Sequence, residues 1–222
     1  MSPWPELQDY LAAIRFTLVA LSSVFFVVDP FATIPSFLAM TESYDEQRRR
    51  TTAIQAGWTC FFVLTLFAAA GSVIFKIFGI TLPAFKIAGG LLLLLVAFEM
   101  LEAKRSGTQE SQEERLEGQQ KEEIGVTPLG IPMLAGPGSI STVMVLMGQS
   151  PSWWQAAPVF AAIVITAFSS AMILAAASRV RGVLGETGIR ILIRLMGLVL
   201  TAVAVQFVIN GLVDLGVIHP KS

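Results

Sequence analysis

The chain has 222 residues, of which 54% are hydrophobic and 14% are charged. Soluble domains carry about 25% charged residues, so the apolar excess is predicted to face lipid. The net charge of -1 argues against nucleic-acid binding, which requires a basic surface, and the single Cys60 excludes an internal disulfide or a thiolate metal cluster.

Six apolar segments are long enough to cross a bilayer, which takes roughly 20 residues. They cover residues 13–40, 53–78, 82–101, 126–147, 156–177 and 189–212. We therefore predict an all-α membrane protein with six transmembrane helices, whose surroundings are the lipid bilayer.

The basic residues outside these spans predict the orientation, because cytoplasmic loops carry an excess of Lys and Arg. With the N-terminus outside, one side collects Arg48, Arg49, Arg50, Lys104, Arg105, Arg115, Lys121, Arg179, Arg181 and Arg190. The other side has Arg15, Lys76, Lys86 and Lys221. The first side is predicted to be cytoplasmic, which places both termini outside a bacterial inner membrane. In this arrangement the side chain of Lys86 extends toward the lipid headgroups.

Residues 102–125 divide the chain into two halves. The stretch is rich in Glu, Gln, Lys and Ser and has almost no apolar residue, a composition typical of a solvated linker. We predict a first three-helix repeat over residues 1–101, a cytoplasmic linker over 102–125 and a second three-helix repeat over 126–222.

The first and fourth spans contain helix-breaking residues near their middles. The first reads FFVVDPFATIPSFLAM and the fourth reads VTPLGIPMLAGPGSISTVM. Proline removes a backbone hydrogen bond and clashes with the preceding turn, so both spans are predicted to be discontinuous. Unpaired backbone at membrane depth is tolerated only where it is buried in protein or lines a wet cavity. Two interrupted spans in corresponding positions are typical of a transporter site.

A weak internal repeat supports this correspondence. Gly89 recurs as Gly197 at an offset of 108 residues, and Pro30 recurs as Pro137 at an offset of 107. An alternative alignment pairs Pro30 with Pro132 at an offset of 102. Because each half has an odd number of spans, the two halves are predicted to have opposite orientations in the membrane.

A broken helix offers binding groups at both of its new ends. The restarting end has free N–H groups and a positive dipole, and the stopping end has free carbonyls, so the pair suits a zwitterion. We predict that a substrate carboxylate binds at the turns after Pro30 or Pro137, with help from the hydroxyl groups of Thr33, Ser139 and Ser141.

The neighbouring small and polar residues shape this predicted pocket. Gly136 and Gly138 allow the backbone to approach the substrate closely, and walls of glycine and alanine admit only a small side chain. Gln206 and Asn210 lie one helical turn apart on an otherwise apolar span, and they either bond neighbouring helices or face the cavity.

Asp29 is the acidic residue that lies deepest in a predicted span, where a charge costs at least about 2.5 to 3.5 kcal/mol. Its carboxylate either binds the substrate ammonium or exchanges protons as a coupling site. A third interpretation is that it only caps the half-helix that begins at Pro30.

An intramembrane hydrolase is disfavoured. The aspartyl type needs two facing acids and the zinc type needs histidine ligands, whereas this chain has one deep Asp29 and a single histidine, His219, near its C-terminus. We predict no enzyme activity, no cofactor, no metal and no nucleic-acid partner, and the sequence indicates no oligomeric state.

Three blocks of the sequence resemble the MarC family, which is grouped with the LysE-type exporters. They are FGITLPAFKIAGGLLLL with Gly89 and Gly90, TPLGIPMLAGPGSIS around Pro137, and RLMGLVLTAVAVQFVINGL ending in Asn210 and Gly211. One departure is Ala32, which stands where the family often has glycine after the first broken turn.

The resemblance implies a six-helix inner-membrane protein with inverted repeats, a site that includes Gly89 and Gly90, and export or proton-linked movement of amino acids such as glycine and alanine. We therefore expect a transporter for small neutral amino acids. The alternative is an efflux carrier or channel for another small polar metabolite.

Overall fold

The computed structural model describes residues 5–102, 124–150 and 153–218, and these residues are helical with no strand among them. The linker predicted over residues 102–125 falls almost entirely outside this part of the chain. The elements are α1 (Pro5–Val28), α2 (Pro30–Met40), α3 (Glu46–Phe78), α4 (Leu82–Leu101), a proline segment (Gly125–Leu134), α5 (Pro137–Gly148), α6 (Trp153–Ala175) and α7 (Ala177–Asp214).

Five helical stretches are long and apolar enough to cross a membrane, and the count is six if a bent pair forms one span. They are Ala13–Met40, Glu46–Gly71, Leu82–Leu101, Ala156–Ala175 and Ala177–Asp214, and the pair is Gly125–Leu134 with Pro137–Gly148. The two members of the pair meet at 59°. The described part of the chain is therefore all-helical, with five or six candidate membrane spans.

The proline segment is an irregular coil. Thr127 and Ile131 have extended backbone angles, with φ of -131° and -133°, because each precedes a proline that disfavours the helical region. Its turns are wide, because its hydrogen bonds span five residues. The N–H of Leu129 donates to the carbonyl of Ile124, and the N–H of Ala135 donates to the carbonyl of Gly130. The segment therefore leads into α5 at an angle.

Glycine brings α4 and α7 into backbone contact, and this is the most extensive helix pair in the fold. A Cβ atom added at Gly90 would lie 2.7 Å from the carbonyl oxygen of Ala204. A Cβ atom added at Gly197 would lie 3.2 Å from the carbonyl oxygen of Ala97. The helices therefore run antiparallel, with the close packing that small residues allow in membranes.

Lys86 corrects one expectation from the sequence. Its side chain is buried, with 8% exposed, and its Nζ lies 2.6 Å from Oδ2 of Asp214 near the end of α7. Its side chain therefore reaches a carboxylate of α7 instead of extending freely to the headgroups, and this pairing neutralises its charge at lower desolvation cost than an unpaired ammonium would have.

Replacing Gly90 with alanine is expected to destabilise the protein. The new methyl group would meet a backbone carbonyl, which cannot move aside as a side chain does, so α4 and α7 must separate. Overpacking of this kind costs roughly 1–3 kcal/mol, which corresponds to a drop in Tm of several degrees, at about 2–4 °C per kcal/mol for a chain of this size. Thermal unfolding in detergent measures the shift.

Gly182→Ala is the matched control for this substitution. A Cβ atom at Gly182 would meet nothing within 4 Å, and alanine favours helix over glycine. An unchanged Tm for Gly90→Ala would contradict the close contact between α4 and α7.

Candidate functional site

The first helix restart is at Asp29. α1 ends at Val28, Asp29 adopts a left-handed conformation with φ of 41°, and α2 begins at Pro30. Aspartate tolerates this conformation better than most residues do. Its Oδ1 accepts a hydrogen bond of 3.2 Å from the N–H of Ala32, so Asp29 is the N-cap of α2.

The second carboxylate oxygen of Asp29 is not used by the cap. The residue is 5% exposed, and Oδ2 is buried and accepts no hydrogen bond from the residues that the structure describes. Native proteins leave few buried polar atoms unpartnered, and each of them calls for a physical reason. The cap therefore uses one of the two carboxylate oxygens of Asp29.

The second helix restart is at Gly136 and Pro137. Gly136 is the N-cap of α5 and supplies no side chain, and Pro137 has no N–H group. The first backbone bond of the helix runs from the N–H of Ile140 to the carbonyl of Gly136, at 3.0 Å. The N–H groups of Gly138 and Ser139 precede that bond and receive no side-chain cap.

A cavity of about 110 Å³ lies at this second restart, between the end of α1, the middle of α4, the end of the proline segment and the first turn of α5. Its walls are formed by Val27, Leu92, Leu93, Leu95, Val96, Met133, Leu134, Gly136, Pro137, Gly138 and Ser139. The cavity therefore has an apolar wall and, at α5, a polar end made of backbone.

Gly138 brings the surrounding helices close together at the cavity. A Cβ atom at this position would lie 2.7 Å from Cδ2 of Leu93 and 3.5 Å from Cγ1 of Val27. Val27 is two residues before Asp29, so the end of α1 and the start of α5 are neighbours. The two helix restarts therefore lie beside the same cavity.

The predicted site residues near the two helix starts divide into those that line the cavity and those that do not. Four of them line the cavity: Gly136, Pro137, Gly138 and Ser139. Asp29, the N-cap of α2, and Pro30 and Thr33 at the beginning of α2 do not belong to its wall. Both Pro30 and Thr33 are buried, and the hydroxyl of Thr33 points back to the carbonyl of Asp29 at 3.4 Å.

The Ser139 hydroxyl is engaged with the backbone. Its Oγ lies 2.9 Å from the carbonyl oxygen of Leu134 and 3.0 Å from that of Gly136, and it has one proton to donate to either. The side chain therefore stabilises the break between the proline segment and α5.

The five remaining predicted residues lie elsewhere, three of them at helix contacts and two on an exposed face of α7. Ser141 packs on Gly89, where an added Cβ would be 3.0 Å from the serine Cβ, and Gly90 packs on α7. Gln206 is exposed, and its Nε2 donates a hydrogen bond of 2.8 Å to Oδ1 of Asn210 within α7. None of these five residues lines the cavity described above.

Sequence reasoning missed the apolar wall. It includes Val27 of α1, the α4 side chains Leu92, Leu93, Leu95 and Val96, and the last two residues of the proline segment, Met133 and Leu134. The α4 residues lie in the uninterrupted apolar run LLLLLVA, in which no polar residue marks the face that meets α5.

Comparisons with known proteins cover nearly the whole chain. Residues 14–215 match the family described as MarC family integral membrane protein. The UPF0056 membrane protein MJ1677 of Methanocaldococcus jannaschii is 40% identical over 202 residues, which are 90% of this chain and 97% of that protein.

Two bacterial relatives are similar at a comparable level. A UPF0056 membrane protein of Aquifex aeolicus is 35% identical over 88% of this chain and 92% of its own. The UPF0056 membrane protein YvbG of Bacillus subtilis is 36% identical over 86% of this chain and 90% of its own. No solved structure matches the chain.

Proposed function

This chain belongs to the MarC family of integral membrane proteins, and we propose that it is a carrier that moves small neutral amino acids across the plasma membrane. This carrier has six spans. In chain order, α1 and α2 together form the first, α3 is the second, α4 is the third, the proline segment and α5 together form the fourth, α6 is the fifth and α7 is the sixth. The first three form one half and the last three form the other, in inverted orientation. The observation that carries the proposal is that two proline-started helices begin beside one cavity.

The contact between α4 and α7 supports an internal repeat with an offset of 107 residues. This offset carries Gly90 onto Gly197 and Ala97 onto Ala204. The contact of Gly90 with the Ala204 carbonyl and that of Gly197 with the Ala97 carbonyl are then the same contact viewed from each half. The sequence match between Gly89 and Gly197 has an offset of 108 residues, one residue more than the offset that relates the two helix contacts.

The same offset relates the two helix restarts. It carries Asp29 onto Gly136 and Pro30 onto Pro137. Asp29 and Gly136 are both helix N-caps, and Pro30 and Pro137 are both the first residue of a helix. The alternative offset of 102 would pair Pro30 with Pro132, which lies inside the proline segment. The offset of 107 is therefore the one that agrees with the helix boundaries.

The packing between helices has the same two-fold character. The first span, through α1 and α2, packs against α6, and the fourth span, through the proline segment and α5, packs against α3. Helices that occupy equivalent places in the two proposed repeats are also in contact, namely α3 with α6 and α4 with α7. This pattern is expected of two inverted repeats whose interface holds the substrate site.

We assign the two ends of a zwitterion to the two restarts. The free N–H groups of Gly138 and Ser139 and the helix dipole of α5 suit a carboxylate. The unpartnered Oδ2 of Asp29 suits an ammonium group, because a buried carboxylate oxygen is stabilised by a charged donor. The two restarts differ in this respect, since Gly136 offers no such side chain.

The size of the cavity favours a small solute over a drug. Its volume is about 110 Å³, whereas pockets for drug-sized ligands hold roughly 300–1,000 Å³. An engineered cavity of about 150 Å³ accommodates benzene. A few heavy atoms therefore fit beside the first turn of α5.

Counterflow in proteoliposomes tests the proposal. Unlabelled alanine inside the vesicles is expected to accelerate the uptake of labelled alanine, because a carrier returns faster when it is loaded. Glycine and serine inside should act in the same way, and protein-free liposomes supply the background. Uptake without acceleration would indicate a channel, and no uptake of any small amino acid above background would overturn the proposal.

A further inference from the structure

Two side-chain hydrogen bonds between described residues join the halves of the molecule across long stretches of sequence. One runs from Nη1 of Arg49 to Oγ of Ser178, 129 residues away, at 3.0 Å. The other runs from Nζ of Lys86 to Oδ2 of Asp214, 128 residues away, at 2.6 Å. Each connects an early helix, α3 or α4, with α7.

These two contacts lie at opposite ends of α7 and therefore, in the proposed carrier, on opposite sides of the membrane. Ser178 is at the beginning of α7 and Asp214 is at its end. The part of α7 that follows its break at Gly185, residues 186–214, has a length of about 43 Å at 1.5 Å per residue. This length exceeds the hydrocarbon core of about 30 Å. Arg49 is therefore on the side that carries most of the basic residues, and the pair formed by Lys86 and Asp214 is on the other side.

Arg49 holds three helices together. Its Nη2 donates a hydrogen bond of 2.8 Å to the carbonyl of Thr41, the C-cap of α2, while Nη1 reaches Ser178 from α3. The carbonyl end of a helix carries a partial negative charge, which a guanidinium stabilises. α2 is the half-helix that begins at Asp29, so Arg49 connects the proposed site to both halves.

The contact on the opposite side is a partly buried ion pair. The Lys86 side chain is 8% exposed and that of Asp214 is 39% exposed. Removing the Asp214 carboxylate leaves the Lys86 ammonium without compensation in a poorly solvated place. The ion pair therefore holds the beginning of α4 to the end of α7.

We propose that these two contacts are the closures of the substrate path: Arg49 with Thr41 and Ser178 closes the basic side, and Lys86 with Asp214 closes the opposite side. The inference rests on the proposed carrier function. A carrier with inverted repeats moves one repeat against the other around a fixed site, so polar contacts between the repeats must break on the side that opens. One contact breaks in each half of the transport cycle while the other is kept.

Cysteine labelling tests this proposal without relying on transport. The reporter is Met133→Cys in the cavity wall, in a Cys60→Ala background, and sealed vesicles of both orientations are treated with a membrane-impermeant maleimide. Arg49→Ala is expected to raise the labelling rate from the basic side roughly tenfold, because bonds to a charged group favour the closed state. Asp214→Asn is expected to raise it from the opposite side.

Milder and matched variants guard against general loss of structure. Ser178→Ala removes one partner of Arg49 at an exposed position and should raise labelling from the basic side by a smaller factor. Arg48→Ala removes a neighbouring charge that stacks on the Tyr44 ring at 4.1 Å and should leave labelling unchanged. Arg181→Ala, which breaks the exposed pair with Glu186, should also leave it unchanged.

The result separates this inference from the carrier proposal. Labelling that rises from both sides in each variant, or from neither side, would overturn the closures whether or not alanine is transported. Labelling that rises on one side in Arg49→Ala and on the other in Asp214→Asn would support the closures. If no alanine counterflow were found in the unsubstituted protein at the same time, the carrier function alone would fail.

Discussion

Replacing Asp29 with asparagine is expected to leave the protein folded and to raise its half-saturation concentration for alanine by roughly 30-fold or more. The reason is that removing one partner of a buried charge pair costs about 2 kcal/mol or more of binding free energy. Asparagine tolerates the left-handed backbone at this position, where φ is 41°. It also keeps the side-chain oxygen that caps Ala32. The difference between the two side chains is therefore the charge at Oδ2.

Proteoliposome uptake with and without a pH gradient measures the effect of Asp29→Asn. If the carboxylate binds the ammonium, affinity falls and the response to the gradient is kept. If the carboxylate exchanges protons, the response to the gradient disappears. Unchanged transport in both conditions would mean that Asp29 only caps α2.

Two further variants at Asp29 separate its charge from its backbone role. Glycine keeps the left-handed conformation and loses both the cap and the charge. Alanine loses the cap and adds a conformational cost of about 1–2 kcal/mol for the left-handed region. We therefore expect the Tm to fall most for alanine and least for asparagine, whereas transport falls in all three.

The helix starts at the two restarts could be read from the sequence because their chemistry is local. Aspartate before proline is a strong signal for a helix N-terminus, and α2 begins at Pro30 after the cap at Asp29. Proline after glycine acts similarly at Gly136 and Pro137. Each signal depends on two or three neighbouring residues, so no knowledge of the tertiary packing is needed.

The beginnings of α3 and α7 were not readable from hydropathy. α3 begins at Glu46, where Asp45 accepts a 2.7 Å hydrogen bond from the N–H of Arg48, although the apolar span was predicted to start at residue 53. α7 begins at Ala177 and has non-helical angles at Gly185, whereas the span was predicted over residues 189–212. Hydropathy detects the membrane-crossing part of a helix and not its polar first turns.

Pairings between distant residues were not predictable either. Lys86 was expected to extend to the headgroups, and its partner Asp214 is 128 residues away. The choice of Leu93 as the side chain that meets Gly138 depends on how α4 is rotated against α5. Both facts arise from helix packing, for which a single sequence with uniform leucine runs gives no signal.

Replacing Gly136 with alanine is expected to reduce the transport rate by roughly 100-fold, the order of effect of a displacement of about 1 Å at a binding group. A Cβ atom here would lie 2.6 Å from the carbonyl oxygen of Pro132. Because that oxygen belongs to the backbone, the turn between the proline segment and α5 must open. The movement would carry the N–H groups of Gly138 and Ser139 away from the cavity. Initial rates of alanine uptake measure this loss.

Gly138→Ala distinguishes a shifted backbone from a filled cavity. Its Cβ would meet Cδ2 of Leu93 at 2.7 Å, the end of a flexible side chain that can turn aside, so α5 keeps its position and the cavity loses volume. We therefore expect Gly138→Ala to exclude serine more than glycine, and Leu93→Ala to restore serine uptake in the double variant. Gly136→Ala should impair every substrate alike and gain nothing from Leu93→Ala. Equal transport by Gly136→Ala and the unsubstituted protein would mean that the N-terminus of α5 does not bind the substrate, since the turn that positions it must move.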